Sequence, residues 1–365
     1  MYNILFLISN LEAGGAQRVI SELSNKMVEK GIKISIALLY NDVIYYSLNN
    51  EIQIYKYYKS KKNKIEEQKR KLRFIQQSVE DSDADIVISF LAEVNIYASI
   101  ALWNYKVKLI ISERNDPQRE PASLIKKILR KFVYKRPDGF VFQTKQSQKF
   151  FGKRIQSHSV VIHNPVKDGL PNSQVISKDY YKIVSIGRLE NQKNYPLALK
   201  VIKSLIEAGI SVKYYIYGQG SCKFSLQKLC SNLGIEQYVY FMGTSKNVHT
   251  EIIDTDFFLM TSNYEGLPNV LLEAMSMGLV VLATNCPCGG PSELIQHGVN
   301  GFLFPVGDDR KAVETIISLI SDKGLCLDVA IEAKKIRDTH DLNRITEEWI
   351  NYIDEVKKGN SNYDI

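Results

Sequence analysis

The sequence predicts an α/β protein made of two doubly wound domains that face a central cleft. The chain has 365 residues, about twice the length of a typical single domain. Short apolar segments typical of buried strands alternate with amphipathic helical segments along most of this length. Because such alternation is typical of parallel sheets covered by helices on both faces, and because it is interrupted once, we expect two such sheets.

The N-terminal half begins directly with the first predicted sheet. Residues 4–8 form a short apolar run, and a helix is expected over residues 16–30. In this helix Val19, Leu23 and Met27 recur every four residues, which gives an apolar stripe on one face. Further strands are predicted at residues 32–39, 85–90, 108–112 and 139–143.

Turn-forming residues mark the break between the halves, where Asn164-Pro165 precedes a stretch with glycine, proline and asparagine. The alternation then resumes, with a helix that begins near Pro196 and ends at Gly209. Strands of the second half are expected at residues 182–186, 212–217, 238–242, 257–260 and 279–283. The predicted division is an N-terminal domain over residues 1–166, a linker over 167–180, a C-terminal domain over 181–340, and a helix over 341–358 that crosses back to the first domain.

The composition is that of a globular protein, with 45% hydrophobic and 24% charged residues. The apolar run at the start is too short for a signal peptide or a membrane span, so a cytoplasmic location is expected. The five cysteines are an odd number, and the one-residue spacing of Cys286 and Cys288 fits neither a redox motif nor a zinc site. We therefore expect reduced thiols, no metal and no cofactor.

Paired carboxylates near a helix start are the strongest chemical signal in the sequence. Residues 262–274 predict the end of a strand, a loop that carries Glu265, and a helix that is opened by Pro268 and carries Glu273. A helix start presents unpaired backbone N–H groups and partial positive charge, which suit a diphosphate. Glu273 would lie about 7–8 Å along the helix, within reach of ribose hydroxyls. Glu265 would face a sugar; the alternative is two exposed glutamates on an ordinary helix.

Two cations follow a neighbouring strand. Arg188 and Lys193 lie on the loop directly after residues 182–186, where they are placed to hold two phosphates. Either residue alone is more typical of a solvated surface charge. Their combination with a helix start and two carboxylates favours a site for a nucleotide diphosphate joined to a sugar.

With these motifs the chain resembles glycosyltransferase family 4, the retaining enzymes of the GT-B fold. The resemblance extends over nearly the whole chain, and more narrowly the chain is similar to bacterial enzymes that add hexose or N-acetylhexosamine to lipid-linked oligosaccharides. The Glu-x7-Glu element of the family falls on Glu265 and Glu273, and its phosphate-binding Arg and Lys fall on Arg188 and Lys193. The resemblance also implies donor-binding positions in the glycine turn, the nucleobase loop and the loop before the helix, at Gly218, Gly243, Thr244, Gly266 and Leu267.

Two features of the N-terminal half concern the same family. The resemblance implies that the Gly14-Gly15 loop closes over the donor phosphate, where a side chain would collide; a simple tight turn is the alternative. Arg114 occupies a strand end where many relatives carry a histidine near the transferred sugar. It could contact the pyrophosphate of an acceptor or the donor sugar, or pair with Glu113 or Asp116.

The resemblance implies a retaining glycosyltransferase in cell-surface polysaccharide synthesis. It would transfer a hexose or N-acetylhexosamine from a nucleotide sugar, with uridine the preferred base, to a glycan or polyprenyl-pyrophosphate-linked acceptor. Arg188, Lys193 and the helix start would stabilise the leaving diphosphate without a metal, and Glu265 would orient the sugar hydroxyls. The alternatives are a nucleotide-sugar epimerase of the same fold, which would need other acid/base residues, and a non-catalytic sugar-nucleotide-binding subunit, which would be expected to lose these charged residues.

The positive charge is concentrated in the N-terminal half. The net charge is +7, and residues 56–73 alone contain nine basic and two acidic residues. Residues 123–136 mix apolar and basic residues in the pattern of a basic amphipathic helix. Both segments suit an anionic membrane surface at the inner face of the cell membrane; a mobile charged loop and a core-packing helix are the respective alternatives. Neither belongs to a nucleic-acid-binding module, so nucleic acid is not expected as a partner.

Overall fold

A computed structural model describes residues 2–59 and 63–359 of the chain. The chain divides into two compact units: unit 1 comprises Met1–Pro165 with Leu342–Ile365, and unit 2 comprises Val166–Asp341. Each unit contains one sheet in which all paired strands are parallel, with buried apolar clusters packed on it. The predicted α/β class with two doubly wound sheets is therefore confirmed.

Unit 1 is built on a sheet with buried central strands. Its strands are β1 (Asn3–Ile8), β2 (Lys33–Leu38), β3 (Gln53–Lys56), β4 (Ile86–Phe90), β5 (Lys108–Ser112), β6 (Gly139–Phe142) and β7 (Ser159–Val161). The helices of this part of the chain are α1 (Gly15–Glu29), α2 (Lys64–Ser82), α3 (Ala92–Ala101), α4 (Leu124–Val133), α5 (Lys145–Phe150) and α6 (Lys153–Ser157). The order of the strands across the sheet is β3-β2-β1-β4-β5-β6-β7.

Unit 2 repeats this architecture. Its strands are β8 (Tyr181–Ile186), β9 (Val212–Tyr217), β10 (Val239–Gly243), β11 (Phe257–Met260), β12 (Val280–Thr284) and β13 (Phe302–Phe304). Its helices are α7 (Tyr195–Glu207), α8 (Lys223–Leu233), α9 (Val248–Glu251), α10 (Asn269–Met277), α11 (Gly290–Leu294), α12 (Asp309–Ser321), α13 (Lys323–Lys334) and α14 (Ile336–Thr339). The order of the strands across the sheet is β10-β9-β8-β11-β12-β13.

Both sheets contain a point at which the strand order reverses. In unit 1, β1 lies between β2 and β4; in unit 2, β8 lies between β9 and β11. The helices that follow the two strands at such a point lie on opposite faces of the sheet, which leaves a crevice at its carboxyl edge, where doubly wound proteins bind their ligands. The topology therefore directs attention to the loops after β1 and β4, and after β8 and β11.

The last helix, α15 (Leu342–Lys358), packs in unit 1 rather than in unit 2. Trp349 is fully buried and stacks on Phe90, with 5.7 Å between the ring centroids. The hydroxyl of Tyr352 accepts a hydrogen bond from the backbone N–H of Phe140 (2.8 Å) and donates one to the carbonyl of His158 (2.6 Å). These contacts anchor α15 to the sheet of unit 1.

The sequence located most central elements but missed the short edge strands β3, β7 and β13. The apolar stripe predicted for α1 is confirmed, since Val19, Leu23 and Met27 are fully buried. The alternative of a mobile loop for residues 56–73 is wrong from Lys64 onwards, where α2 begins; Lys61 and Lys62 lie outside the described residues. None of the helices within the described ranges is long and apolar enough to cross a membrane.

Candidate functional site

The loops after β8 and β11 are joined side by side at the reversal point of the unit 2 sheet. The backbone N–H of Asn263 donates to the carbonyl of Gln192 (2.8 Å), and its side-chain amide donates to the carbonyl of Asn191 (2.9 Å). The Thr261 hydroxyl lies 3.0 Å from the carbonyls of both Lys193 and Asn194. The two loops, which together carry the predicted phosphate and sugar residues, therefore form one hydrogen-bonded structure.

An ion pair between Lys193 and Glu265 lies at the centre of this structure. The Lys193 ammonium is 2.5 Å from Glu265 Oε1, and the two side chains are only 15% and 8% exposed. The Ser262 hydroxyl donates to the same oxygen (2.6 Å), while the Gln192 amide approaches the other, Oε2, at 3.4 Å. The structure thus joins two residues that the sequence assigned separately to the phosphate and to the sugar. The pairing neutralises two charges that would each be costly to bury alone.

Arg188, the second predicted phosphate cation, is exposed to solvent. Among the described residues, none forms a hydrogen bond or an ion pair with its guanidinium. Its charge contributes to lowering the pKa of Glu190, after the larger effect of hydrogen bonds from the backbone and hydroxyl of Ser221. A cation in this state keeps its hydrogen-bonding capacity for a ligand.

The predicted glycine turn packs directly on the loop after β8. Gly218 has a positive φ of 139°, and a Cβ atom at this position would lie 2.0 Å from the carbonyl oxygen of Gly187. A Cβ on Gly220 would lie 2.4 Å from the carbonyl oxygen of Leu189. Both positions therefore require glycine for the packing of one backbone on another, a structural reason that holds whatever ligand is bound.

The start of α10, the helix that carries Glu273, also packs closely on a neighbouring segment of backbone. Pro268 is the N-cap of α10, and the buried residues Gly266 and Leu267 precede it. A Cβ on Gly290 would lie 1.5 Å from the carbonyl oxygen of Gly266. The start of α10 thus rests on the start of α11, and the helix start that the sequence predicted at Pro268 is confirmed.

Glu273 has a partner that the sequence analysis missed. Its Oε2 atom lies 2.9 Å from Nε2 of His249 on α9, and both side chains are largely buried, at 11% and 14% exposure. Of the predicted nucleobase loop, Gly243 is the last residue of β10 and Thr244 follows it, before α9. Only their position a few residues before His249 in the chain could have indicated this histidine.

The two close cysteines do not form a reactive site. Cys286 and Cys288 are buried and neither is in a disulfide, as expected for reduced thiols. Burial, together with the charge of Glu265, raises the pKa of the Cys286 thiol to about 12. Within residues 2–59 and 63–359, no group of three or more His, Cys, Asp or Glu side chains is arranged to hold a metal ion.

In unit 1 the predicted glycine pair lies at the start of α1. Gly14 is the N-cap, with extended backbone, and its N–H and carbonyl both hydrogen-bond to the hydroxyl of Tyr46, at 3.2 and 3.1 Å. A Cβ on Gly14 would meet only the end of the flexible Gln17 side chain. The backbone itself therefore does not require glycine at this position, and Gly15 beside it is exposed.

Arg114 does not form the internal ion pairs that the sequence left open. Glu113 accepts a hydrogen bond from the hydroxyl of Tyr134, and Asp116 accepts one from the backbone N–H of Gln118. No hydrogen bond joins either carboxylate to Arg114, so this alternative for Arg114 is wrong.

Comparison with known proteins relates the chain to glycosyltransferases. Residues 166–336, which contain every unit 2 residue discussed above, match the family model for glycosyl transferases group 1. The chain is 27% identical, over 98% of its length and 99% of the relative, to a Campylobacter jejuni enzyme named GalNAc-alpha-(1->4)-GalNAc-alpha-(1->3)-diNAcBac-PP-undecaprenol alpha-1,4-N-acetyl-D-galactosaminyltransferase. It is 26% identical, over 89% of its length and 92% of the relative, to the amylovoran biosynthesis glycosyltransferase AmsD of Erwinia amylovora.

A solved structure supports the fold over the full chain. The structure of Anabaena HepE in complex with UDP and glucose superposes with a TM-score of 0.81 at 18% identity, covering 97% of this chain and all of HepE. Such a likeness at low identity establishes the architecture. Together with the family model and the named relatives, it identifies the chain as a glycosyltransferase with the GT-B fold.

The contact between Gly290 and Gly266 gives a direct test of how the site is held. We expect Gly290→Ala to lower the free energy of unfolding by roughly 1–3 kcal/mol or more, because the added Cβ would overlap a backbone carbonyl that has no flexible side chain to displace. Urea denaturation measures the change. Gly324→Ala is the matched control, since a Cβ there meets only ordinary contacts. Equal stabilities of the two variants would contradict the packing described here.

Proposed function

We propose that this glycosyltransferase transfers a hexose or N-acetylhexosamine from a UDP-linked donor to a glycan or polyprenyl-pyrophosphate-linked acceptor, with retention of configuration. The observation that carries the proposal is the joined pair of loops after β8 and β11, with Lys193 and Glu265 in contact at their centre. The resemblance of these motifs to the retaining glycosyltransferase family 4 supports the stereochemistry and the Glu-x7-Glu roles.

The diphosphate of the donor is best accommodated by Arg188, Lys193 and the first turn of α10. Arg188 is exposed and without an ionic partner among the described residues, and its planar guanidinium matches two phosphate oxygens at once. The helix start adds backbone N–H donors and partial positive charge. Such fixed charges stabilise a leaving diphosphate as its negative charge develops, so we propose that transfer needs no metal ion.

In this proposal Glu265 holds the transferred sugar. Its carboxylate is fixed by Lys193 and Ser262 on Oε1, while Oε2 has only a long contact with Gln192. Oε2 is therefore the oxygen with capacity to accept hydrogen bonds from sugar hydroxyls. The acceptor hydroxyl would attack from the face of the leaving group, and the departing phosphate would take its proton.

Glu273 is proposed to bind the ribose. Its contact with His249 fixes the carboxylate orientation within the first two turns of α10, while the phosphates occupy the start of that helix. Gly243 and Thr244, just before α9, would then lie beside the base. UDP as the nucleotide rests on the resemblance and on HepE, which was solved with UDP and glucose bound.

The acceptor class rests on the relatives. One is named for a reaction on a glycan linked through pyrophosphate to undecaprenol, and the other for amylovoran biosynthesis. We therefore propose that the chain acts in bacterial polysaccharide or lipid-linked glycan synthesis, in the cytoplasm at the inner face of the cell membrane.

The role of Glu265 is tested by Glu265→Gln, which keeps the shape and removes the charge. We expect kcat to fall about 10²-fold or more, since a fixed electrostatic contact to the reacting sugar is lost. Turnover is measured by release of UDP from the donor that the wild type uses, and circular dichroism checks that the variant is folded. Glu314→Gln, at an exposed glutamate on α12, serves as the control. Unchanged turnover in a folded Glu265→Gln protein would refute this role.

The helix α4 has the features of a membrane contact. Its apolar side chains lie on one side and are between 36% and 78% exposed: Leu124, Ile125, Ile128, Leu129 and Phe132. The alternative that this helix packs its apolar face into the core is wrong for unit 1. Lys131 and Lys135, also exposed, would face the anionic headgroups.

Polar contacts on the inner side of α4 determine which of its faces is exposed. The Arg130 guanidinium is buried and donates to the carbonyls of Glu120 (2.7 Å) and Pro117 (2.8 Å). Lys126 pairs with Glu93 of α3 at 2.6 Å. Because these contacts turn Arg130 and Lys126 toward the rest of unit 1, the apolar stripe lies on the outside. We therefore propose that α4 inserts its apolar stripe into the membrane that carries the acceptor.

Vesicle sedimentation tests this surface. We expect the wild type to bind phosphatidylglycerol-containing vesicles, with binding reversed by high salt, and the Ile125→Ser/Ile128→Ser/Phe132→Ser variant to bind roughly tenfold more weakly or worse, because it loses apolar area that lipid would bury. Phe224→Ser/Leu327→Ser, at exposed apolar positions of unit 2, is the control. Binding that is indifferent to lipid charge, or equal in the two variants, would contradict the proposal.

A further inference from the structure

Arg114 is a buried cation at the carboxyl edge of the unit 1 sheet. It lies two residues after the end of β5 and is only 9% exposed. One terminal nitrogen donates to Oδ1 of Asn164 (2.6 Å), the other lies 3.4 Å from the Ser112 hydroxyl, and the guanidinium carbon is 4.7 Å from the centroid of the Phe90 ring. Its Nε–H is buried and has no hydrogen-bond partner. These contacts fix the orientation of the Arg114 side chain, while its Nε–H remains without a hydrogen-bond acceptor.

No negative charge compensates this cation within the described residues. Its hydrogen-bond partners, Asn164 and Ser112, are neutral, and the carboxylates of Glu113 and Asp116 are directed to other groups. The charged group that acts on it most is another cation, Arg18. Burial, with a smaller effect from Arg18, lowers the pKa of Arg114 to about 9, so the guanidinium is still charged at neutral pH.

A buried charge without a counterion is expensive, and proteins rarely retain one unless a ligand supplies the opposite charge. The surroundings of Arg114 place it where ligands bind. Phe90, Arg114, Gln143 and Asn164 follow or end β4, β5, β6 and β7, so they gather at one carboxyl edge of the sheet. That edge includes β4, one of the two strands at the reversal point.

We propose that Arg114 binds a phosphate group. A guanidinium that lies near an aromatic ring and is hydrogen-bonded to an amide is suited to the paired oxygens of a phosphate, and pairing would compensate the buried charge. The carrier of the phosphate follows from the proposed function: it is either the diphosphate of the nucleotide sugar or the pyrophosphate of a lipid-linked acceptor. Phosphate binding by Arg114 does not itself depend on that function.

Titration with inorganic pyrophosphate tests the binding directly. Calorimetry on the wild type, Arg114→Met and Arg114→Lys should show affinity reduced at least tenfold in Arg114→Met and partly retained in Arg114→Lys. Repeating the series in an Arg188→Met background separates this site from the phosphate residues of unit 2. Absence of pyrophosphate binding in the wild type, or equal affinity in a folded Arg114→Met protein, would overturn the proposal.

Thermal unfolding without ligand separates ligand binding from a purely structural role. An uncompensated charge predicts that Arg114→Met keeps or raises the melting temperature, whereas a structural arginine predicts a fall. Arg136 is the matched control, because it is paired with Asp138 at 3.0 Å and donates to the carbonyls of Leu102, Tyr105 and Val107. Arg136→Met should lower the melting temperature and leave pyrophosphate affinity unchanged. A fall of similar size in Arg114→Met, with affinity retained, would refute a phosphate site.

The source of the phosphate is decided by kinetics of Arg114→Lys. A rise in KM for the donor with unchanged acceptor KM would identify the nucleotide diphosphate, and the reverse would identify the acceptor pyrophosphate; either supports the proposal. No change in either KM would overturn it. A wild type that binds pyrophosphate at Arg114 but neither binds UDP nor transfers sugar would instead refute the proposed function and leave the phosphate site standing.

Discussion

The ion pair between Lys193 and Glu265 is the contact on which the proposed donor site depends. It exists because β8 and β11 are parallel neighbours at the point where the strand order of the unit 2 sheet reverses, so that their following loops meet. Hydrogen bonds from Thr261 and Asn263 hold the loops together, and Ser262 fixes the carboxylate. Either charge alone would be costly at this depth, so each residue keeps the other in place. The phosphate and sugar functions proposed for them are therefore coupled by structure.

Much of this site could be predicted from local sequence, because strands, their following loops and helix starts are local features. Lys193 and Glu265 were each identified in this way. Their contact was not, because it joins residues 72 positions apart and depends on the order of strands in the sheet. His249 was missed for the same reason, since a lone histidine acquires meaning only when α9 brings it to Glu273. The close packing of Gly290 on the backbone of Gly266 could not be predicted either, because no periodic pattern in the sequence indicates it.

The orientation of an amphipathic helix is a second property that the sequence could not decide. The pattern of residues 123–136 predicts apolar and basic faces, but it does not say which face packs inward. In α4 the buried Arg130 donates to two backbone carbonyls, and this arrangement leaves the apolar stripe exposed. Arg114 illustrates the same point, because only the structure shows that its neighbouring carboxylates are engaged elsewhere. In both cases tertiary hydrogen bonds determine which charges are available.

The most direct test of the proposed donor site is a thermal-shift screen against UDP-, GDP- and ADP-sugars without added metal. A ligand that binds only the folded protein raises the melting temperature, and the rise grows with the logarithm of the ratio of ligand concentration to Kd. We expect a clear shift with UDP-sugars that is lost in Glu273→Ala, since that carboxylate is proposed to hold the ribose. A shift that persists in Glu273→Ala, or no shift with any of the donors, would contradict a nucleotide-sugar site at the carboxyl edge of the unit 2 sheet.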